Sequence, residues 1–255
     1  LEPSDGFRKS RVLVVGHPLP NADGVDARHK ILELVDQRTC EQDLYIAVMS
    51  GGSTALMCCP VPGISLEDVV LTTDILLKSG ARVSEINSVR RHLSQINGGR
   101  LGQRIQKKGA ELIGIAIFDQ VGELATDDIT KPVDMKGTPI GPDPTTFEEA
   151  RQAIYNNSVS DRIPKSILEY LGCGDAANET PKELDGFTYY ILNTVPDSCS
   201  YAKEAAEAMG IKAAVLTSFL EGDSKNAGIM MASIAREVYQ TGNPIAPPCV
   251  LISAG

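Results

Sequence analysis

Leu44-Tyr45-Ile46-Ala47-Val48-Met49-Ser50-Gly51-Gly52-Ser53-Thr54-Ala55 is the stretch on which the fold turns. Its first six residues are apolar and bounded by a turn signal, which predicts a short buried strand. The two glycines after Met49 and Ser50 let the backbone fold tightly, so that successive N–H groups can point at one anion. A strand running into a glycine- and hydroxyl-rich turn is the strand–loop–helix junction of layered α/β proteins, whose ligands collect at the carboxyl ends of the strands.

The same punctuation recurs outward from this junction. Further β-branched, apolar runs occupy residues 11–15, 112–118, 188–192, 213–216 and 249–252, with helical periodicity between them. Val25, Ile31, Leu32, Leu34 and Val35 form one apolar stripe. Ser65 is expected to cap a helix with Asp68 at its third position and Gly80 at its end. Ser84 is expected to open another through Arg90, and Thr146 with Glu149 makes a capping box. Ser198 is expected to open a helix closed by Gly210, and Ser224 one that reaches about Tyr239. Strands alternating with helices predict a layered α/β/α fold with a largely parallel sheet.

A chain of 255 residues suggests two domains. The boundary is expected in the polar stretch 173–186, read as a linker between residues 1–172 and 187–255. Residues 119–145, rich in Gly, Pro and Asp, are expected to form a functional or flexible loop. The net charge of -9 argues against nucleic acid and anionic membranes as partners. No apolar run is long enough to span a membrane. Six cysteines without CxxC spacing suggest reduced, buried thiols in a cytoplasmic protein, and three scattered histidines offer no metal-ligand spacing.

An acidic chain that handles anions must concentrate its positive charge locally. Ser50, Gly51, Gly52, Ser53 and Thr54 could cradle a phosphate or carboxylate, or form an ordinary strand-to-helix turn; the Gly-Lys-Ser/Thr of a Walker A loop is absent. Residues 87–101 hold three arginines, a histidine and the pair Gly98-Gly99. Helical spacing puts Asn87, Arg90, Arg91 and Ser94 on one broad face, with Arg100 opening the next helix, and Arg offers a donor fork suited to carboxylate or phosphate. Asp119, at a predicted strand end, could hold Mg²⁺, act as a base or end a turn. Asp143 lies in a rigid Gly-Pro-Asp-Pro turn beside a helix start, and Glu221-Gly222-Asp223 follows a strand in the same way. The GxGxxA spacing of residues 172–177 follows a helix and so fails the context for a dinucleotide fingerprint. No GxSxG elbow is present.

Taken in order, these blocks resemble one family. Gly16-His17-Pro18-Leu19-Pro20-Asn21 resembles its GHPxPD segment, and residues 50–56 resemble its SGGGSALL loop. Asn87, Val89, Arg90, His92, Leu93, Ser94, Gly98, Gly99, Arg100 and Leu101 match NxVRKHLSxIKGGRL. Gly141-Pro142-Asp143-Pro144-Thr145-Thr146-Phe147 matches the end of SGPTxPDPTTF, and Leu220-Glu221-Gly222-Asp223 resembles LEGEA. The family is that of the class II glycerate kinases with their MOFRL domain, some of which carry the older label hydroxypyruvate reductase.

The resemblance implies two α/β domains with a cleft between them, ATP and Mg²⁺, and D-glycerate as the substrate phosphorylated. By the same resemblance Arg90 and Asp119 are expected to be catalytic. Ser50, Gly51, Gly52, Ser53, Thr54, Asn87, Arg90, Gly98, Gly99, Arg100 and Glu221 are expected to bind substrate or phosphate, and Asp119 and Asp143 to hold the metal. A homodimer is compatible with it. Hydroxypyruvate reduction and non-catalytic carboxylate binding are the alternatives. The pattern departs at Asn97 and Arg91, where the family has Lys, and at residues 118–123. The family's proposed catalytic Lys and its Gly-Gly-Arg-Asn motif have no counterpart in these residues, so the chain is expected to be cut short at both ends and inactive alone.

Overall fold

The computed structural model describes residues 12–16, 21–52, 56–117, 138–174, 176–184 and 187–255. The run expected as a strand over residues 11–15 begins outside them, and Val12 to Gly16 is irregular. Val12 and Val14 are 45% and 54% exposed, so β propensity here is not backed by burial.

Helix α1 (Ala22–Arg38) starts where the Asn21 side chain accepts from the Gly24 N–H. Strand β1 is Leu44–Met49, as its apolar run predicts. Helix α2 (Leu66–Ser79) has the expected caps: Ser65 accepts from the Asp68 N–H, and Gly80 is left-handed at φ +80°. Helix α3 (Val83–His92) starts one residue before the expected Ser84, because the Glu85 carboxylate accepts from the Arg82 N–H. Helix α4 (Arg100–Lys107) leads into strand β2 (Glu111–Ile117). The Thr146–Glu149 capping box opens helix α5 (Phe147–Asn156), followed by α6 (Lys165–Cys173) and a short 3₁₀ turn, Ala176–Asn178.

Strand β3 (Phe187–Asn193) leads to helix α7 (Val195–Ala208), which begins earlier than the expected Ser198. Thr194 and Asp197 form the capping box there, with Pro196 in the first turn. Strand β4 (Lys212–Thr217), helix α8 (Ser224–Thr241) and strand β5 (Cys249–Ser253) follow.

Strands β1, β2 and β3 form one sheet in that order, and β4 and β5 form a second. The β4–β5 pair is parallel, Lys212 opposite Cys249 and Val215 opposite Ile252, with α8 supplying the crossover that parallel neighbours require. The mixed α/β architecture expected from the sequence is borne out.

Two compact units divide the described chain. One holds the residues up to Gly114 and those from 138 to Tyr189; the other holds Ile115–Ile117 and Tyr190–Gly255. The large hydrophobic cluster of the first unit is helix on helix. Leu76 of α2, Val89 of α3, Ile154 of α5 and Ile167 of α6 meet there, each fully buried. Among the described residues no helix is long and apolar enough to cross a membrane.

Candidate functional site

The turn after β1 carries the first candidates. Ser50 and Gly51 are exposed, and Gly52 sits at φ +88°, a conformation that favours glycine. Its carbonyl accepts from the Leu56 N–H at 3.0 Å, while Ser53 and Thr54 lie outside the described residues. The start of α1 lies against this turn: a Cβ on Gly24 would stand 3.2 Å from the Leu56 carbonyl oxygen. One turn further along α1, Arg28 is buried, donates to the Cys59 sulfur and touches the His29 ring. Asn97 reaches the same segment from beyond α3, donating from Nδ2 to the Met57 carbonyl at 3.2 Å.

Arg90 is half-buried on α3. Burial lowers the pKa of its guanidinium, and the neighbouring Cys58 pulls it the other way. Burial pushes the Cys58 thiol up to about 11, with Cys59 adding to the rise and Arg90 and Arg28 opposing it. Both thiols are therefore neutral near pH 7 and bring no negative charge to the two cations. Among the described residues no carboxylate pairs with Arg90. A partly desolvated cation can attract an anion more strongly than a solvated one.

Arg91 does not share that face. It is 2% exposed and donates from Nη1 to Asp143 Oδ1 at 2.9 Å, Asp143 being fully buried. Asp143 Oδ1 also accepts from the Thr145 N–H and hydroxyl at 3.0 and 2.7 Å. The carboxylate expected to hold a metal is thus enclosed with a cation, its charge already neutralised. Among the described residues no group of three or more His, Cys, Asp or Glu could hold a metal ion. Asp119, the other expected ligand and a catalytic candidate, lies outside the described residues.

His92 is also interior. Its Nε2 lies 2.8 Å from Glu179 Oε1, its Nδ1 lies 2.7 Å from the Ser88 carbonyl, and its ring rests on Phe147 with centroids 4.8 Å apart. Burial raises the Glu179 pKa, but hydrogen bonds from the Phe147 N–H, Lys182, the Thr180 N–H and His92 outweigh it and hold the carboxyl at about 2. Residues 179–181, expected to belong to a linker, are therefore built into the first unit: Thr180 and Pro181 are buried, and the Asp143 N–H donates to the Pro181 carbonyl at 2.9 Å.

The glycine pair belongs to the same interior. A Cβ on Gly98 would stand 2.9 Å from Thr180 Cγ2, and one on Gly99 2.6 Å from the Gly141 carbonyl oxygen. Thr180 and Gly141 thus pack directly against the two glycines and leave no room for a side chain there. Asn87 is buried as well. Arg100 donates to the Asn178 carbonyl at 2.7 Å and faces a different cleft, described below. Glu221 is exposed in the second unit, just before the Asp223 cap of α8. Sequence reading missed Arg28 and Glu179. Neither carries a local signal, since each acquires its role from residues far along the chain.

Residues 2–172 match the family described as a domain of unknown function, DUF4147. The chain belongs to this family. It is 35% identical over 255 residues to a glycerate 2-kinase of Pyrococcus horikoshii, covering 98% of this chain and 55% of the relative. It is 33% identical over 255 residues to a D-glycerate 2-kinase of Thermotoga maritima, covering 99% and 56%. The crystal structure of the glycerate kinase from Thermotoga maritima superposes with a TM-score of 0.67 at 32% identity, covering 94% of this chain and 54% of that one. Other matching relatives are named glycerate kinase or hydroxypyruvate reductase. The resemblance read from the motifs is borne out, and this DUF4147 chain spans about half the length of the curated relatives it matches.

Proposed function

We propose that the whole protein transfers the γ-phosphoryl group of ATP to a hydroxyl of D-glycerate, in the manner of a glycerate 2-kinase. The observation that carries this reading is its similarity, across nearly the entire chain, to two proteins named as glycerate 2-kinases. Phosphoryl transfer asks a protein for positioning and charge neutralisation more than for covalent chemistry. Arg90, half-buried and without a described carboxylate partner, suits one anionic group of glycerate or phosphate. The backbone at Gly51 and Gly52 suits another, approached closely because no side chain intervenes. Arg28 supports the segment behind them through Cys59.

Magnesium is the ion expected with ATP. Asp143 does not fit it, because Arg91 is enclosed with that carboxylate, and no step is assigned to a metal. Hydroxypyruvate reduction is the second reading, favoured by the names of some relatives. One pair of assays on the whole protein separates the two. Release of ADP that depends on D-glycerate is expected. Oxidation of NAD(P)H by hydroxypyruvate without ADP release would overturn the kinase reading.

A further inference from the structure

Away from Arg90 and the β1 turn, a cleft of about 570 Å³ opens on the exposed side of α4. Arg100, Arg104, Lys107 and Lys108 line it, and Asp36 of α1 is the one acid among its described lining residues. The four cations stand at helical spacings i, i+4, i+7 and i+8, on one face of α4 and the residue after it. From Arg100 to Lys108 the helix rises about 12 Å. Asp36 already serves two of the cations: Arg104 Nη1 lies 2.8 Å from its Oδ2, and Lys108 donates to its carbonyl at 2.8 Å. Arg100 is anchored to the Asn178 carbonyl at 2.7 Å, and its Nε is enclosed without a hydrogen-bond partner among the described residues.

We propose that this cleft binds a small polyphosphate-bearing anion. Four like charges on one helix face repel one another, and one carboxylate does not balance them. In a chain of net charge -9 this is a local reversal of sign, and a concave surface focuses the field it produces. A single carboxylate or orthophosphate can engage one or two of these donors, whereas a chain of phosphates can engage donors along the whole row. The volume suits a small molecule. Tyr170 and Pro62 line the same cleft and offer a flat, partly apolar surface to a base or sugar attached to the phosphates. Arg90 is not among the lining residues, so the site stands apart from the kinase reading and does not rest on it.

The test is calorimetric titration of sodium tripolyphosphate into the protein at low ionic strength. Saturable binding at one site is expected, with orthophosphate at least about tenfold weaker and added salt weakening the tripolyphosphate, as screening requires. Lys107→Glu with Lys108→Glu should lower the affinity at least about tenfold at an unchanged Tm, because both side chains are exposed. If the charge reversal fails to fold, Lys107→Gln with Lys108→Gln should show the same direction of change. No saturable binding to the parent, or equal affinity in the lysine variants, would overturn the proposal. A second arm with ATP identifies the source: tighter binding than tripolyphosphate that is weakened by Lys107→Gln with Lys108→Gln marks a nucleotide in this cleft, and ATP binding that these replacements leave unchanged marks a free polyphosphate.

Discussion

Arg90 and Arg91 follow one another on α3 and meet different surroundings. Arg91 is sealed against Asp143, while Arg90 is half-buried with neutral thiols beside it. Their replacements should therefore fail differently. If the whole protein carries the proposed kinase activity, Arg90→Ala in it is expected to lower kcat/KM about a hundredfold with the fold intact, since a lost charge-assisted contact to an anionic substrate costs about 2–3 kcal/mol. Arg91→Ala should instead destabilise the protein by about 3–5 kcal/mol, because it leaves Asp143 as an unpaired buried charge. Steady-state kinetics together with urea unfolding of both variants checks the pair. Parent-like kinetics in Arg90→Ala at the parent's stability would remove that residue from the site.

Elements differ in how well they are anchored. Helix α3 buries six of its ten residues, whereas α8, eighteen residues long, buries only Val238 and exposes Ile229 and Met230 by 58% and 62%. Local opening follows buried apolar contact. Backbone amides in the middle of α8 should exchange faster than those of α3 by a factor on the order of a hundred. Hydrogen exchange read by mass spectrometry would show it, and equal protection in the two helices would mean that α8 is held by something its described contacts lack. Strand β1 shows the same contrast face by face: Leu44, Ile46 and Val48 are 51%, 60% and 73% exposed while the residues between them are partly covered. Its apolar run is therefore a good sign of a strand and a poor guide to which side is buried.

For the molecule as a whole, acid stability should depend on a residue outside the expected catalytic groups. The Glu179 carboxyl, ordinarily near 4.5, is held at about 2. A depressed folded-state value contributes stability that is present above about pH 4.5 and is lost as the pH falls toward about 2. Glu179→Gln should cost about 1–3 kcal/mol near neutral pH, since His92 and the Phe147 N–H lose a charged partner. That difference from the parent should shrink as the pH is lowered through the same window. Urea unfolding across this range measures it, and a difference that does not vary with pH would assign Glu179 a purely steric role.

The sequence by itself determined where most elements lie and the family to which the chain belongs. Caps and stripes act over three or four residues, so Ser65 with Gly80 and Thr146 with Glu149 mark their helices wherever the chain goes. Motif order does not depend on folding at all. The tertiary structure decided what surrounds the motif residues. Gly98 and Gly99 look like a ligand cradle until residues 141 and 180 are seen to fill the space in front of them. Asp143 looks like a metal ligand until Arg91 closes on it, and residues 179–181 look like a linker until His92 and Asp143 draw them inside. Burial and charge pairing are sums over neighbours distant in sequence, and no local window contains them.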